Sequence, residues 1–125
     1  MKQLLLLAIF AIGLGSSAVA QEITEKDKKI KNPTTVTKEN LKEGKTLYAV
    51  NCKACHGTLG LGDGTKAKNM KGDLGDFSSA KTQNKSDGEL FTATKNKIGD
   101  HPGFSKKMSD EDIWLVVNYL RTLKK

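Results

Sequence analysis

The five residues Cys52-Lys53-Ala54-Cys55-His56 constrain this chain more than any other stretch, and they contain both of its cysteines. They form a C-x-x-C-H run, the spacing that attaches a c-type haem. Two thiols separated by two residues can form thioethers from a single helical turn. The histidine that follows is then held beneath the iron as an axial ligand. Three other chemistries use cysteines spaced this way. A thioredoxin-like dithiol needs a βαβ setting, and no strand-like alternation lies nearby. A zinc site of Cys52, Cys55, His56 and His101 would lack a second close pair of ligands, because His101 stands alone. The third is a structural disulfide.

Residues 1–20 read as an export signal. Lys2 gives a positive start, an apolar run extends from Leu4 to Leu14, and Ala18-Val19-Ala20 fits a small-x-small cleavage site. The run is short for a membrane span, and no later segment resembles one, so no stable membrane insertion is expected after cleavage. No cysteine follows the cleavage point to take a lipid. The expected location is the periplasm. Removing 20 of the 125 residues leaves a single domain of 105. Only 37% of the full chain is apolar, so a covalently fixed haem would add a large surface for this small core to pack on.

The precursor carries a net charge of +7, and the chain without Lys2 holds 20 basic against 14 acidic residues. Arg121 is the sole arginine. Aromatic residues do not interleave with the lysines, which argues against nucleic acid as a partner. Lysines around a redox cofactor would instead steer an acidic redox protein toward a chain expected to be monomeric.

Residues 21–36 are polar, lysine-rich and broken by Pro33, and read as a flexible leader. The domain proper is expected over residues 37–125. A helix begins after Thr37 as N-cap and runs to about Asn51, with Leu41, Gly44, Leu47, Tyr48 and Asn51 on one face. A glycine inside a helix costs about 1 kcal/mol relative to alanine, so Gly44 implies close approach of another backbone. Residues 57–64 contain four glycines and form a loop. A short helix fits residues 65–70. Ser86-Asp87-Gly88-Glu89 is a capping box that opens a helix to about Asn96, with Leu90, Phe91 and Thr94 inward. Ser109 and Asp112 open the last helix, whose stripe of Ile113, Val116, Val117, Leu120 and Leu123 reaches toward the C-terminus, flanked by Trp114 and Tyr119. Lys124 and Lys125 then fall where a helix dipole favours cations. The pattern is all-α.

Together these residues resemble the class I cytochrome c family over most of residues 40–123. Gly44 and Tyr48 stand eight and four positions before Cys52, where that family places a glycine and an aromatic, and Tyr119 matches the aromatic of its last helix. The resemblance implies a cytochrome c fold wrapped around one haem c, with Cys52 and Cys55 as attachment points and His56 as proximal ligand. Two departures stand out. Similar chains carry a proline near Thr65 whose carbonyl holds the proximal histidine. They also supply the sixth ligand as methionine in a Met-Pro-x-Phe loop, where this chain reads His101-Pro102-Gly103-Phe104. His101 is therefore the favoured distal ligand. Met108 comes second, although a hydrophobic staple to Ile113 explains it without haem. Met70 and an open iron complete the alternatives. The expected function is single-electron transfer between periplasmic redox proteins, without catalysis. A small-ligand sensor with an open or displaceable sixth position is the alternative, and a peroxidase-type enzyme is a weaker third.

Overall fold

The helix α6 (Asp110–Arg121) is buried on almost every side, and the other elements are arranged by what they place against it. The computed structural model describes residues 21–125, so the export signal expected over residues 1–20 lies outside it. Among the described residues there are six α-helices, one 3-10 turn and no β-strand. In order they are α1 (Glu25–Lys28), α2 (Lys38–Asn51), α3 (Lys53–His56), the 3-10 turn Ala67–Asn69, α4 (Ala80–Gln83), α5 (Asp87–Lys95) and α6.

The helix starts follow local chemistry. The Thr37 hydroxyl accepts from the Asn40 N–H to open α2, and Ser86 with Glu89 and Ser109 with Asp112 form complete capping boxes on α5 and α6. α2 crosses α6 at Gly44, where a Cβ would collide with the carbonyl of Leu115. One turn further on, the rings of Tyr48 and Tyr119 meet with centroids 5.2 Å apart. α5 closes the other side through Phe91, which stacks on Trp114 at 4.0 Å and 14°. Trp114, Leu115 and Asn118 are buried along with the apolar stripe, so α6 has no solvated face in its middle turns.

Three details differ from the sequence reading. The first is the leader. It caps its own turn, α1, and lies on α5 so closely that a Cβ on Gly88 would collide with the Asp27 carbonyl. Thr92 Oγ1 donates to Asp27 Oδ1 at 3.1 Å. The buried Asn118 side chain accepts from Asn32 Nδ2 at 2.7 Å and donates to Thr34 Oγ1 at 2.9 Å. A polar segment is thus held because it satisfies polar groups of the helices beneath it. The second is the end of α6, which stops at Arg121 with Thr122 as C-cap, leaving Leu123, Lys124 and Lys125 beyond the helix. There the Arg121 guanidinium bonds Asp87 Oδ1 through Nε and Nη2 at 2.9 and 2.7 Å, and the carbonyls of Gln83 and Lys85 at 2.9 and 2.6 Å. This fan of donors ties the last turn of α6 to the start of α5. On α5 the inner face comprises Gly88, Leu90, Phe91 and Thr92, while Thr94 is only half-buried.

Replacing Gly44 by alanine should lower the stability of the haem-loaded protein. The gain in helix propensity is about 1 kcal/mol. Overpacking of about 1–3 kcal/mol against a rigid carbonyl opposes and exceeds it. The denaturant midpoint of Gly44→Ala should fall, and an unchanged midpoint would contradict the backbone contact.

Folding also holds three carboxyls below their ordinary range. The Thr24 hydroxyl does so for Asp27, the Ser78 hydroxyl for Asp76 and the Ser86 N–H for Glu89. A carboxylate with a depressed folded pKa contributes stability above its unfolded value and loses it as pH falls through the folded one. Stability should therefore decline as pH drops below 4.5, the ordinary value for glutamate. In Glu89→Gln, which keeps the capping geometry but cannot titrate, denaturant midpoints across pH should decline less steeply.

Candidate haem site

The proximal half of the site is a turn whose backbone acceptors are all used. α2 ends as the Cys52 N–H bonds the Tyr48 carbonyl at 2.8 Å, and α3 turns the chain so that the His56 N–H bonds the Cys52 carbonyl at 2.9 Å. Gly57, at φ +84°, stops α3, and its N–H returns to the Lys53 carbonyl at 2.8 Å. The glycine-rich loop then bonds the next three carbonyls. Lys66 N–H donates to Ala54 at 2.8 Å, Gly64 N–H to Cys55 at 3.0 Å and Gly62 N–H to His56 at 2.9 Å. The last carbonyl, that of Gly57, accepts the buried Tyr48 hydroxyl at 2.7 Å. The orphan carbonyls of a helix end are thus satisfied one by one, which fixes the C-x-x-C-H turn without help from the cavity side. Gly64 is needed for this approach, because a Cβ there would press into the backbone of Ala54.

The distal half is a loop fixed at both ends. Ile98 and His101 exchange backbone hydrogen bonds of 3.2 and 3.0 Å, and the Phe104 N–H is held by the Thr94 and Lys95 carbonyls at 3.0 and 3.1 Å. Between the halves lies a cavity of about 410 Å³ lined by Cys52, Cys55, His56 and His101, with Leu74, Phe77, Ile98, Phe104, Val116 and Leu120 among the apolar walls. That volume is within the usual span of about 300–1,000 Å³ for small-molecule and cofactor sites. The His56 ring stacks on Phe77 with centroids 4.4 Å apart and planes at 25°.

The structure thus brings both histidines and both cysteines to one space. Met70 also lines it, from the exposed rim. Met108 does not. It is 4% exposed within the core and sits immediately before the N-cap of α6, packed with Ile113 and its neighbours. Phe77 and Leu74 were not singled out in the sequence as site residues, and Val116 and Leu120 read only as core. Their apolar character was visible, but the face they present to the cavity depends on how α6 crosses α2.

Electrostatics fit a cofactor site and not a redox dithiol. Burial, and next Cys55, push the Cys52 thiol up to about 12. A reactive dithiol needs the opposite shift. Burial also lowers both histidines. For His56 the nearby His101 adds to the effect and the Leu74 backbone opposes it; for His101 the Asn96 backbone opposes it. Both rings are accordingly neutral at pH 7, the form that binds metal.

The family model for cytochrome c matches residues 41–124. This chain belongs to the cytochrome c family. Three solved structures are similar to it. One is the Kuenenia stuttgartiensis reducing HAO-like protein complex Kustc0457/Kustc0458, at 23% identity and a TM-score of 0.64, covering 77% of this chain and 50% of that one. Another is the c-type cytochrome KustC0563, at 25% identity and a TM-score of 0.55, covering 66% of this chain and 98% of that one. The third is cytochrome CL from Methylophaga aminisulfidivorans, at 18% identity and a TM-score of 0.54, covering 90% and 72%. This chain spans half the length of the first and nearly all of the second. No curated protein matches it.

Family membership establishes an all-α class I c-type cytochrome, a covalently bound haem c and a general role in haem-based electron transfer. The residues present fit that group. His56 Nδ1 is buried with no hydrogen-bond partner, in an imidazole that faces an apolar cavity beside two free thiols. Two free thiols for thioether attachment and a neutral imidazole for the iron, lining one apolar cavity, are the donor set that a haem c needs.

The Tyr48 hydroxyl gives this site a direct test. Tyr48→Phe keeps the ring packing and removes the 2.7 Å bond to the Gly57 carbonyl, leaving it only the longer bond from the Gly60 N–H at 3.4 Å, at a cost of about 0.5–1.5 kcal/mol. Equilibrium unfolding of the haem-loaded variant should show that loss, whereas unchanged stability would mean the bond does not anchor the turn.

Proposed function

We propose that this chain is an exported mono-haem cytochrome that carries single electrons between periplasmic redox proteins and is not itself an enzyme. In this reading Cys52 and Cys55 hold the haem by thioethers, His56 is the proximal ligand and His101 the distal one. The observation that carries it is the convergence of these four side chains on one apolar cavity, with Met108 turned away into the core. The haem supplies an iron that alternates between ferrous and ferric states.

The protein's own contribution is burial and rigidity. Phe77, Leu74, Ile98, Val116 and Leu120 wall the cavity, and the hydrogen-bonded turn and the anchored distal loop hold the two imidazoles in place. With both histidines committed to iron, the titratable side chains left in the lining are the exposed Lys71, Asp73 and Asp100, and no buried acid or base remains among them. Lys53 and Lys71 are exposed at the attachment turn and the cavity rim, which suits an acidic partner steered by charge. Export is supported by the signal pattern of residues 1–20, and among the described residues no helix is long and apolar enough to cross a membrane.

Absorption spectra of the haem-loaded protein test the reading. The reduced form should show the sharp α band of a c-type haem. The oxidised form should be low-spin and lack the weak far-red band of methionine bound to ferric iron. That band, if present, would assign the sixth position to Met70 or Met108.

A further inference from the structure

Sulfur is the side-chain atom that peroxides oxidise most readily, and its access to solvent decides how fast. The described residues hold four sulfur atoms, in Cys52, Cys55, Met70 and Met108. The first two are the attachment points of the haem. Met108 is shut into the core beside Ile113. Met70 is 36% exposed and stands outside that core, with no task in holding the iron.

Met70 lies on an open lip of the cavity. Every residue from Lys68 to Asp73 is exposed, so the outer side of the lip is bare whatever fills the cavity. Met70 closes the 3-10 turn Ala67–Asn69 as its C-cap, with its N–H on the Ala67 carbonyl at 3.0 Å. Beyond it, Gly72 and Gly75 have φ of +84° and +72°, and a Cβ on either would meet nothing within 4 Å. With so little packed on this stretch of backbone, the lip shifts at low cost. On its inner side it runs into Leu74 and Phe77, which wall the cavity, and Phe77 stacks on His56. One thioether thus borders both the solvent and the apolar wall of the site.

We propose that Met70 is an oxidation site whose modification lowers the reduction potential of the haem. Hydrogen peroxide is the co-reactant. The Sδ lone pair attacks one peroxide oxygen, the O–O bond breaks and water leaves. The thioether loses two electrons to become a sulfoxide, and the peroxide gains them. A sulfoxide is polar and is disfavoured against an apolar wall. It turns outward and admits water to the Leu74 and Phe77 side of the cavity. Ferric haem carries one more positive charge than ferrous haem, so water near it favours the oxidised state. Enzymatic reduction of methionine sulfoxide makes the change reversible. The inference rests on the reading in which His101, not Met70, holds the sixth position.

Hydrogen peroxide is applied to the haem-loaded protein and to Met70→Leu, followed by tryptic mass spectrometry and a redox titration. Cleavage after Lys68 and Lys71 isolates Met70, and cleavage after Lys107 and Arg121 isolates Met108. Met70 should gain one oxygen atom at least about tenfold faster than Met108. The potential of the treated protein should fall, whereas treated Met70→Leu should keep its untreated value. A Met70 that stays unmodified, or is oxidised no faster than Met108, would overturn the inference and show that the bound haem covers the lip. Oxidation of Met70 with equal changes of potential in both proteins, or none, would overturn the effect on the iron. A far-red methionine band before any peroxide is added would instead remove the reading of His101, and this inference with it.

Discussion

The contact between Gly44 on α2 and the Leu115 carbonyl on α6 is the constraint from which the site's geometry follows. Only a residue without a Cβ lets two helix backbones approach this closely, and the approach sets where both ends of α2 lie relative to α6. One turn on, Tyr48 packs on Tyr119 and passes its hydroxyl to Gly57, so the same crossing also fixes the residue after the proximal histidine. Val116 and Leu120, further along α6, then serve both the buried core and the wall of the cavity.

The two halves of the site are built in different ways. On the proximal side the carbonyls of residues 53–57 are each bonded by backbone or by Tyr48, leaving the imidazole and the two thiols as the groups that face the cavity. On the distal side the loop is anchored through its backbone, and the His101 ring accepts one hydrogen bond, from the Gly103 N–H at 3.3 Å.

Much of this was legible in the sequence because it depends on short-range chemistry. The helix starts at Thr37, Ser86 and Ser109 are side-chain caps that any reading of local spacing finds, and the C-x-x-C-H run together with its flanking residues points to its cofactor. Gly44 was legible too, as an expensive residue inside a helix that required a neighbour. What stayed hidden joins residues far apart in the chain. The leader reads as solvated because its polar side chains find their partners, Thr92 and Asn118, 65 to 86 positions away. The C-terminal lysines fit a helix dipole, yet α6 ends at Arg121, whose guanidinium is drawn to Asp87 and the carbonyls before α5. The competition among His101, Met108 and Met70 could be narrowed by spacing, but only packing places Met108 in the core and His101 in the cavity wall.

The claim on which everything else rests is covalent haem at Cys52 and Cys55, and tryptic digestion of the purified, haem-loaded protein followed by mass spectrometry addresses it most directly. Trypsin should cut after Lys45, after the exposed Lys53 within the motif, and after Lys66. Residues 46–53 and 54–66 should then travel as one species, joined through a single haem and resistant to thiol reductants. Two free peptides, or a pair that separates on reduction, would show a simple dithiol or disulfide and contradict the account.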